Sequence, residues 1–378
     1  MKLSLVSLLL TSLILINARP GLRAQSPEYP TYLGSKERSN GRHDARHPWV
    51  IGTHAYGVFR AHNTDSTHDK NGRGYRFNHH PNLVYWNNRY WINYQGGPTD
   101  DREGDKPRVP YWITYSSNGQ HWEAPELLFP SIKFQGENTY MHSRMGFYVA
   151  DDGRLLTISF HGLHPTPNGG GENGVARVVR EIYGVKDDDR VDMGPIYALR
   201  FNADRNQNNT GLPLYTTSSD QEFVDACEEL LNNPLVTQQW YEEDRRPELY
   251  TVNEGTPKTG PKAEEEFAAK AFDWYTLPDD RIVGWWKGGA MASSNDGWQT
   301  TDSVSINYDR LNENRSAKMW GQRLSDGHYA LVYNTGTQPP NPKSEYSWTR
   351  TPMLAVASSD GLRYSEDQAV VFGDVSPT

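Results

Sequence analysis

The sequence predicts an all-β protein of the β-propeller class with one helical excursion, and three observations carry that prediction. Alternating aromatic and β-branched runs follow one another from Thr53 to the end: LVYWNNRYWINYQ, YWITYSSNGQHW, GFYVADDGRLLTISF, RIVGWWKGGAMASSNDGW, MWGQRLSDGHYALVY and MLAVASSDGLRYS. Each of the last five holds Asn-Gly or Asp-Gly in its turn, and these pairs tolerate the positive φ angles that a tight hairpin demands. The turn glycines Gly119, Gly153, Gly297, Gly327 and Gly361 recur about every 30 to 36 residues apart from one long interval, which reads as blade spacing. A β-sandwich is the competing architecture. It accounts less well for repeated strand-Ser-Asp/Asn-Gly-aromatic units, which belong to radial repetition.

The chain has 378 residues, of which 12% are aromatic, and a mean hydropathy of -0.79, as expected of many short amphipathic strands joined by polar loops. Lys2, an apolar run over 3–16 and small or polar residues up to Ala24 read as a secretory signal peptide over 1–24. The apolar run is shorter than the roughly 20 residues that span a bilayer, and no later segment is apolar enough to cross one. Residues 25–48 show no periodicity and read as a linker or lead-in, leaving 49–378 as the propeller. A net charge of -9 excludes nucleic acid as a general partner, because binding phosphates requires a basic surface. The single Cys227 cannot form an intrachain disulfide, so an exported protein of this sequence relies on its core alone.

One segment departs from the strand pattern. Within residues 218–246, Phe223, Ala226, Cys227, Leu230 and Leu231 fall at helical spacing, with Ser218 or Ser219 as N-cap and acidic residues in the first turns. This predicts a helical insertion between blades in which Cys227 is a buried helix residue. The following TPKTGPKAEEEFAAKAF reads as a charged loop running into the next strand. The chain stops at VVFGDVSPT, directly after a strand, and the spacing leaves room for about six blades, so the ring is expected to be incomplete at its C-terminus.

The stretches RFNHHPNLVYWNNRYWINY, YSSNGQHWEAPELLFP, YMHSRMGFYVADDGRLL, ARVVREI with GPIYALRF, and KMWGQRLSDGHYALVYN resemble the sialidase-like (BNR-type) propellers that include ulvan lyases, rhamnosyl-glucuronate lyases and a related rhamnosidase. The resemblance covers most of the chain from about Thr53 onward. It implies a seven-bladed ring and an acidic, uronic-acid-containing polysaccharide or oligosaccharide as substrate. It also implies a catalytic histidine in an Asn-His-x-Pro context, which falls on His79, and a carboxylate-neutralising arginine about sixty residues later, which fits Arg144. Arg180 matches a further family arginine. The relatives' other histidine has no counterpart at the expected offset, and His54, His62 and His68 remain as candidates, His54 being the one carried forward.

The residue types suit that chemistry on their own account. β-Elimination at a uronate requires a cation on the carboxylate, a base for the C5 proton and an acid for the leaving oxygen. Arginine binds a carboxylate with a two-pronged fork, and histidine or tyrosine serves the proton transfers. These groups cluster near strand starts, in Thr53-His54-Ala55-Tyr56, Asn78-His79-His80-Pro81 and Tyr140-Met141-His142-Ser143-Arg144. His79, Arg144 and His54 are therefore the expected catalytic residues. Arg180, His80, His142, Tyr140 and Arg323 are the expected substrate contacts, and His79, Arg144 and Arg180 are expected to converge at one end of the channel.

Each choice has a plainer alternative. One of His79 and His80 points into the blade, and His80, facing the other way on a strand, is the structural one if His79 is catalytic. Arg177 pairs with Glu181 or flanks the channel, while Trp320, Gln322 and Arg323 line a pocket or pack a blade. Trp86 and Trp91 are core residues before they are sugar platforms. Asp151-Asp152 and Asp279-Asp280 form turns and not a glycosidase dyad. No cofactor is required: Gly169-Gly-Gly171 lacks the strand-to-helix context of a phosphate cradle, and no zinc spacing exists, although a structural cation stays open. Three function classes follow: a polysaccharide lyase, a glycosidase of the sialidase or rhamnosidase kind drawing its carboxyl from Glu137, Glu181 or Asp273, and a non-catalytic glycan-binding propeller.

Overall fold

The computed structural model describes residues 31–32, 56–59, 77–97, 110–130, 132–141, 146–163, 174–202, 205–238, 272–285, 291–297, 304–307, 319–334, 353–364 and 369–372. The expected signal peptide lies outside them. A two-residue strand, β1 (Thr31–Tyr32), comes first. The first blade is β2 (Phe77–Trp86), β3 (Arg89–Gly97), β4 (Tyr111–Ser116) and β5 (Glu126–Phe129), hydrogen-bonded in that order. The second gathers β6 (Lys133–Phe134), β7 (Glu137–Met141), β8 (Gly146–Val149), β9 (Leu155–Leu163), β10 (Gly174–Val185), β11 (Val191–Met193) and β12 (Tyr197–Phe201). In it β8, β9 and β10 form the centre, β11 and β12 both pair with β10, and β7 pairs with β9.

Helices α1 (Gln207–Thr210), α2 (Gln221–Leu231) and α3 (Pro234–Gln238) follow. The third blade is β13 (Asp273–Thr276), β14 (Ile282–Trp285), β15 (Met291–Ser294) and β16 (Val304–Asn307). The fourth is β17 (Met319–Arg323), β18 (Tyr329–Asn334), β19 (Met353–Ser358) and β21 (Ala369–Phe372), with β20 (Arg363–Tyr364) paired in parallel to β1. The architecture is the propeller that the strand runs predicted, and four of its blades lie among the described residues.

Two local chemistries build the turns. Between third and fourth strands, a Ser hydroxyl donates to the side chain of an Asn or Asp two residues on. It does so in Ser116–Asn118 at 3.2 Å, Ser294–Asp296 at 2.9 Å and Ser358–Asp360 at 2.9 Å. The same hydroxyl accepts the N–H of Gly119 or Gly361 at 2.8 Å, and Gly119, Gly297 and Gly361 take φ near 70°, where a Cβ is costly. In the second chemistry, between first and second strands, an Asp accepts the backbone N–H of the residue two positions on and also pairs with its side chain. Examples are Asp152 with Arg154, Asp279 with Arg281 and Asp326 with His328. The expected turn-forming role of these acid pairs is what the structure contains. The recurrent glycines, however, count turns and not blades: Gly327 and Gly361 serve two turns of the same fourth blade.

The blades bury one another. Trp91, Tyr111, Ile113 and Tyr115 of the first blade pack on Leu155, Val175, Val178 and Ile182 of the second. Tyr275, Trp285 and Met291 of the third meet Met319, Tyr329, Leu331 and Tyr333 of the fourth. Each such side chain contributes about 1.5–3 kcal/mol on leaving water. The opposite face of the first blade leaves Leu83, Tyr85, Tyr90 and Leu127 exposed.

The helical excursion is held to the second blade. Phe223, Ala226, Cys227 and Leu230 of α2 are buried against Leu156, Ile158, Val179 and Leu199, as their spacing predicted. Burial raises the Cys227 thiol pKa to about 12, leaving it inert. The N-cap is Asp220 and not Ser218 or Ser219. Its carboxylate accepts the Phe223 N–H at 3.1 Å and binds Arg154 at 3.0 Å, a double engagement that a serine hydroxyl cannot make. Beyond Gln238 the segment predicted as helical lies outside the described residues.

Gly321 of β17 tests the blade-to-blade fit. A Cβ there would overlap Trp285 and Leu331, so Gly321→Ala should destabilise the protein by about 1–3 kcal/mol, read as a lower urea midpoint with unchanged m-value.

Candidate active site

The first strands of consecutive blades line the axis: β2 lies beside β8 and β13 beside β17. β2 and β8 run in the same direction. Asn82, midway along β2, abuts Gly146 at the start of β8, and Trp86 Nε1 at the end of β2 donates at 2.7 Å to the Gly153 carbonyl in the turn after β8. The starts of β2 and β8 therefore lie at one end of the axis and the turn after β8 at the other, and in a propeller, where first strands run alike, the repeated turns of the other blades share that second end.

At the start of β2 the sequence Asn78-His79-His80-Pro81 forms a β-bulge. Its register passes from His79↔Gln95 to Asn82↔Asn93, so His80 and Pro81 together oppose a single residue of β3. His80 takes φ 48°, an uncommon conformation for a residue with a side chain, and is buried. Its carbonyl accepts from Asn82 Nδ2 at 2.9 Å and from the Tyr111 hydroxyl at 2.9 Å. Asn82 Nδ2 also lies 3.1 Å from Asn93 Oδ1, and Asn93 Nδ2 donates to the Gly146 carbonyl at 3.1 Å and to Thr157 Oγ1 at 3.0 Å. The bulge is thus fixed by a buried polar network that crosses from the first blade to the second.

Asp273 is the first residue of β13, a position that propeller topology assigns to the end where first strands begin. Its carboxylate accepts the Trp274 N–H at 3.0 Å and lies 3.4 Å from the Gly321 N–H of β17. Burial raises its pKa to about 7 against the opposing pull of those two N–H groups. A carboxyl in that range both holds and releases a proton near neutral pH, as acid–base catalysis requires.

Only some of the sequence-predicted residues are among those described. His54, His142 and Arg144 lie outside the described residues, as do the side chains of His79, Tyr140 and Glu137, although the backbones of His79 and Tyr140 run in β2 and β7. His80 is buried within the bulge, where its carbonyl is the acceptor that Asn82 and Tyr111 share. Arg180 sits on β10, third from the axis. Its Nε donates to the Gly194 carbonyl at 2.5 Å and its guanidinium to the Leu128 carbonyl of β5 at 2.8 Å. It ties two blades together away from the axis, and burial lowers its pKa. Arg323 is exposed at the last position of β17, two residues beyond Gly321, whose N–H approaches Asp273.

Glu181 pairs with Arg154 at 2.9 Å and not with Arg177, because on β10 its side chain faces the turn after β8. Arg154 also binds Asp152, Asp220 and Glu222. Burial works against the arginine's charge, yet the Glu222 hydrogen bond and the Glu181 and Asp220 carboxylates hold its pKa above the usual value. These ion pairs line an open depression of about 880 Å³ at the turn end. Glu181 is thereby removed from the axis. Trp91 is fully buried, and Trp86 is part-buried against the same core. Among the described residues no cluster of three or more His, Cys, Asp or Glu is arranged to hold a metal ion. Asn82, Asn93 and Tyr111 were not picked out from the sequence. Their signal is asparagine recurring within strands that are otherwise aromatic and aliphatic, in NLVYW and WINY.

The raised Asp273 pKa has a consequence for stability. The folded protein binds this proton more tightly than the unfolded chain, where an aspartate titrates near 3.8, so the stabilisation is complete below about pH 4 and is lost as pH rises through about 7. Asp273→Asn should remove that dependence. The melting temperature of the variant relative to native should climb by a few degrees between about pH 4 and pH 7.5, and a difference that stays flat across this window contradicts the assignment.

Among solved structures, a chain named "Sialidase" is similar at 33% identity and a TM-score of 0.72, over 93% of this chain and 31% of that one. The present chain therefore spans about a third of that relative's length. A Trypanosoma rangeli sialidase in complex with sialic acid is 10% identical, with a TM-score of 0.49 over 87% of this chain and 54% of that one. Zg3597, a family 117 glycoside hydrolase produced by the marine bacterium Zobellia galactanivorans, is 11% identical, with a TM-score of 0.39 over 86% and 76%. No curated protein matches the chain. The family model described as BT_1020-like, N-terminal beta propeller, matches residues 28–256, and with its blades, turns and axis as they stand the chain belongs to that family.

Proposed function

We propose that this chain is the catalytic propeller of a secreted carbohydrate-active enzyme. Its substrate is an acidic, uronic-acid-containing polysaccharide, bound and cleaved at the end of the axis where the first strands begin. The observation that carries the reading is Asp273, a carboxyl with a pKa raised to about 7 at the first residue of an axial strand. In glycoside hydrolysis such a group gives its proton to the leaving glycosidic oxygen as the bond to the anomeric carbon breaks, and water adds at that carbon. The name of the 33% identical relative, "Sialidase", agrees with hydrolysis. Of the three carboxyls considered from the sequence, Glu181 is committed to Arg154, and Glu137 remains as the partner for Asp273.

A second reading, β-elimination, is favoured by the bulge that holds His80 at φ 48° beside His79. Strained backbone of this kind concentrates at functional sites. Here His79 takes the C5 proton, Arg144 neutralises the uronate carboxylate, and the oxygen on C4 leaves with a proton. His54 is the second histidine in that scheme.

A panel of uronic-acid polysaccharides, assayed for new reducing ends and for ultraviolet-absorbing unsaturated ends, tests both readings. Saturated products, with Asp273→Asn slowing turnover by about 10²–10⁴, support hydrolysis. Unsaturated products, abolished by His79→Ala at an unchanged melting temperature, support elimination. Binding across the panel without any new reducing end overturns the catalytic reading in favour of a glycan-binding propeller.

A further inference from the structure

The network at the start of β2 has a fixed polarity. The carbonyls of His80 and Gly146 accept hydrogen bonds and cannot donate them, so the amide nitrogens of Asn82 and Asn93 must face these carbonyls. Asn93 Oδ1 then has one direction left, toward Asn82 Nδ2, at 3.1 Å. Asn93 is fully buried, and both of its N–H bonds cross to the second blade, to the Gly146 carbonyl and Thr157 Oγ1; Thr157 Oγ1 in turn donates to the same Gly146 carbonyl at 3.0 Å. On the other side, Asn82 and the Tyr111 hydroxyl both hold the His80 carbonyl, and the two side chains lie 3.1 Å apart. Gly146 is confined as well: it has φ 90°, and a Cβ there would overlap the Asn82 side chain.

We infer that Asn82 and Asn93 are positioning residues that set the His79–His80 bulge and the start of β8 in one fixed register across the first two blades. The inference rests on reading this end of the axis as the site. The pair is suited to the task because each amide gives direction at both ends, and an apolar side chain of the same volume would bury the blades without fixing either peptide. Asn93 is fully buried and Asn82 half-buried, and losing Asn82 takes from Asn93 Oδ1 the donor it has here and from the His80 carbonyl one of its two. The two segments it joins are the ones that matter for the chemistry. His79 belongs to the bulge, and Arg144, the clamp of the elimination reading, stands two positions before Gly146 in the sequence.

The test compares Asn82→Ala and Tyr111→Phe with the native chain by amide hydrogen exchange and by turnover on the polysaccharide that the panel identifies. Tyr111→Phe loses a single hydroxyl and keeps the fold should Asn82→Ala fail to. In Asn82→Ala, exchange should rise at the His80 bulge and at Gly146 together while the third and fourth blades stay as they were. In Tyr111→Phe the rise should be confined to the bulge. Turnover number should fall about 10- to 100-fold in Asn82→Ala, as misplacement of catalytic groups produces, with KM changed less than threefold. Unchanged exchange at Gly146 in Asn82→Ala overturns the coupling. A turnover number equal to native despite raised exchange overturns the positioning role. Coupled exchange in a protein that cleaves no acidic glycan overturns the functional reading and leaves the tie between the blades standing.

Discussion

A four-stranded sheet buries neither face by itself, so the packing of one blade on the next is the interaction from which the rest of this structure follows. Trp91 and Tyr111 against Leu155 and Val178, and Trp285 against Tyr275, Tyr329 and Gly321, bring the first strands of neighbouring blades side by side. That approach compresses the axis. Side chains there must be small, as at Gly146 and Gly321, or must complete one another's hydrogen bonds, as Asn82 and Asn93 do. The polar network between β2 and β8 and the desolvated Asp273 between β13 and β17 both follow from this close approach of first strands.

The two ends of the propeller carry different kinds of chemistry. At the turn end, exposed Asp–Arg and Ser–Asp motifs close hairpins, and Arg154 gathers Asp152, Glu181, Asp220 and Glu222 to anchor α2. Charges there are neutralised by their own neighbours, and exposed pairs of this kind contribute at most about 1 kcal/mol each. At the opposite end, among the described residues, the Asp273 carboxyl accepts backbone N–H groups that favour its charge, and burial outweighs them, which brings its proton into the neutral range.

How much of this was legible in the sequence depended on range. Local chemistry could be read directly: the strand runs, the turn glycines, the buried face of α2 with Cys227, and the turn role of Asp152 and Asp279. Partnerships between elements could not. Glu181 lies four positions from Arg177 and on the same face of β10, but the extended strand sets the two about 13 Å apart, and the turn after β8 brings Arg154 to it instead. Arg180 matched a family arginine, yet its place on the third strand directs it to carbonyls of the neighbouring blade. Arg323 closes the short β17, two residues beyond the Gly321 that approaches Asp273, a proximity the sequence does not display. The glycine recurrence misled for a similar reason, since hairpin turns within one blade repeat at much the same interval as the blades. His79 and His80 drew attention as imidazoles, whereas the backbone bulge they occupy, and the asparagines that hold it, are visible only in three dimensions.

The central claim is that acidic sugar is handled at the end of the axis where β2, β8 and β13 begin. The most direct measurement is a crystal structure of the protein soaked with an acidic oligosaccharide released from the polysaccharide it recognises. The account predicts sugar density at that end, with a hydroxyl or glycosidic oxygen within hydrogen-bond reach of the Asp273 carboxyl or of the His79 side chain. Density confined to the depression around Arg154, or to the exposed first-blade face at Leu83 and Tyr85, would contradict it.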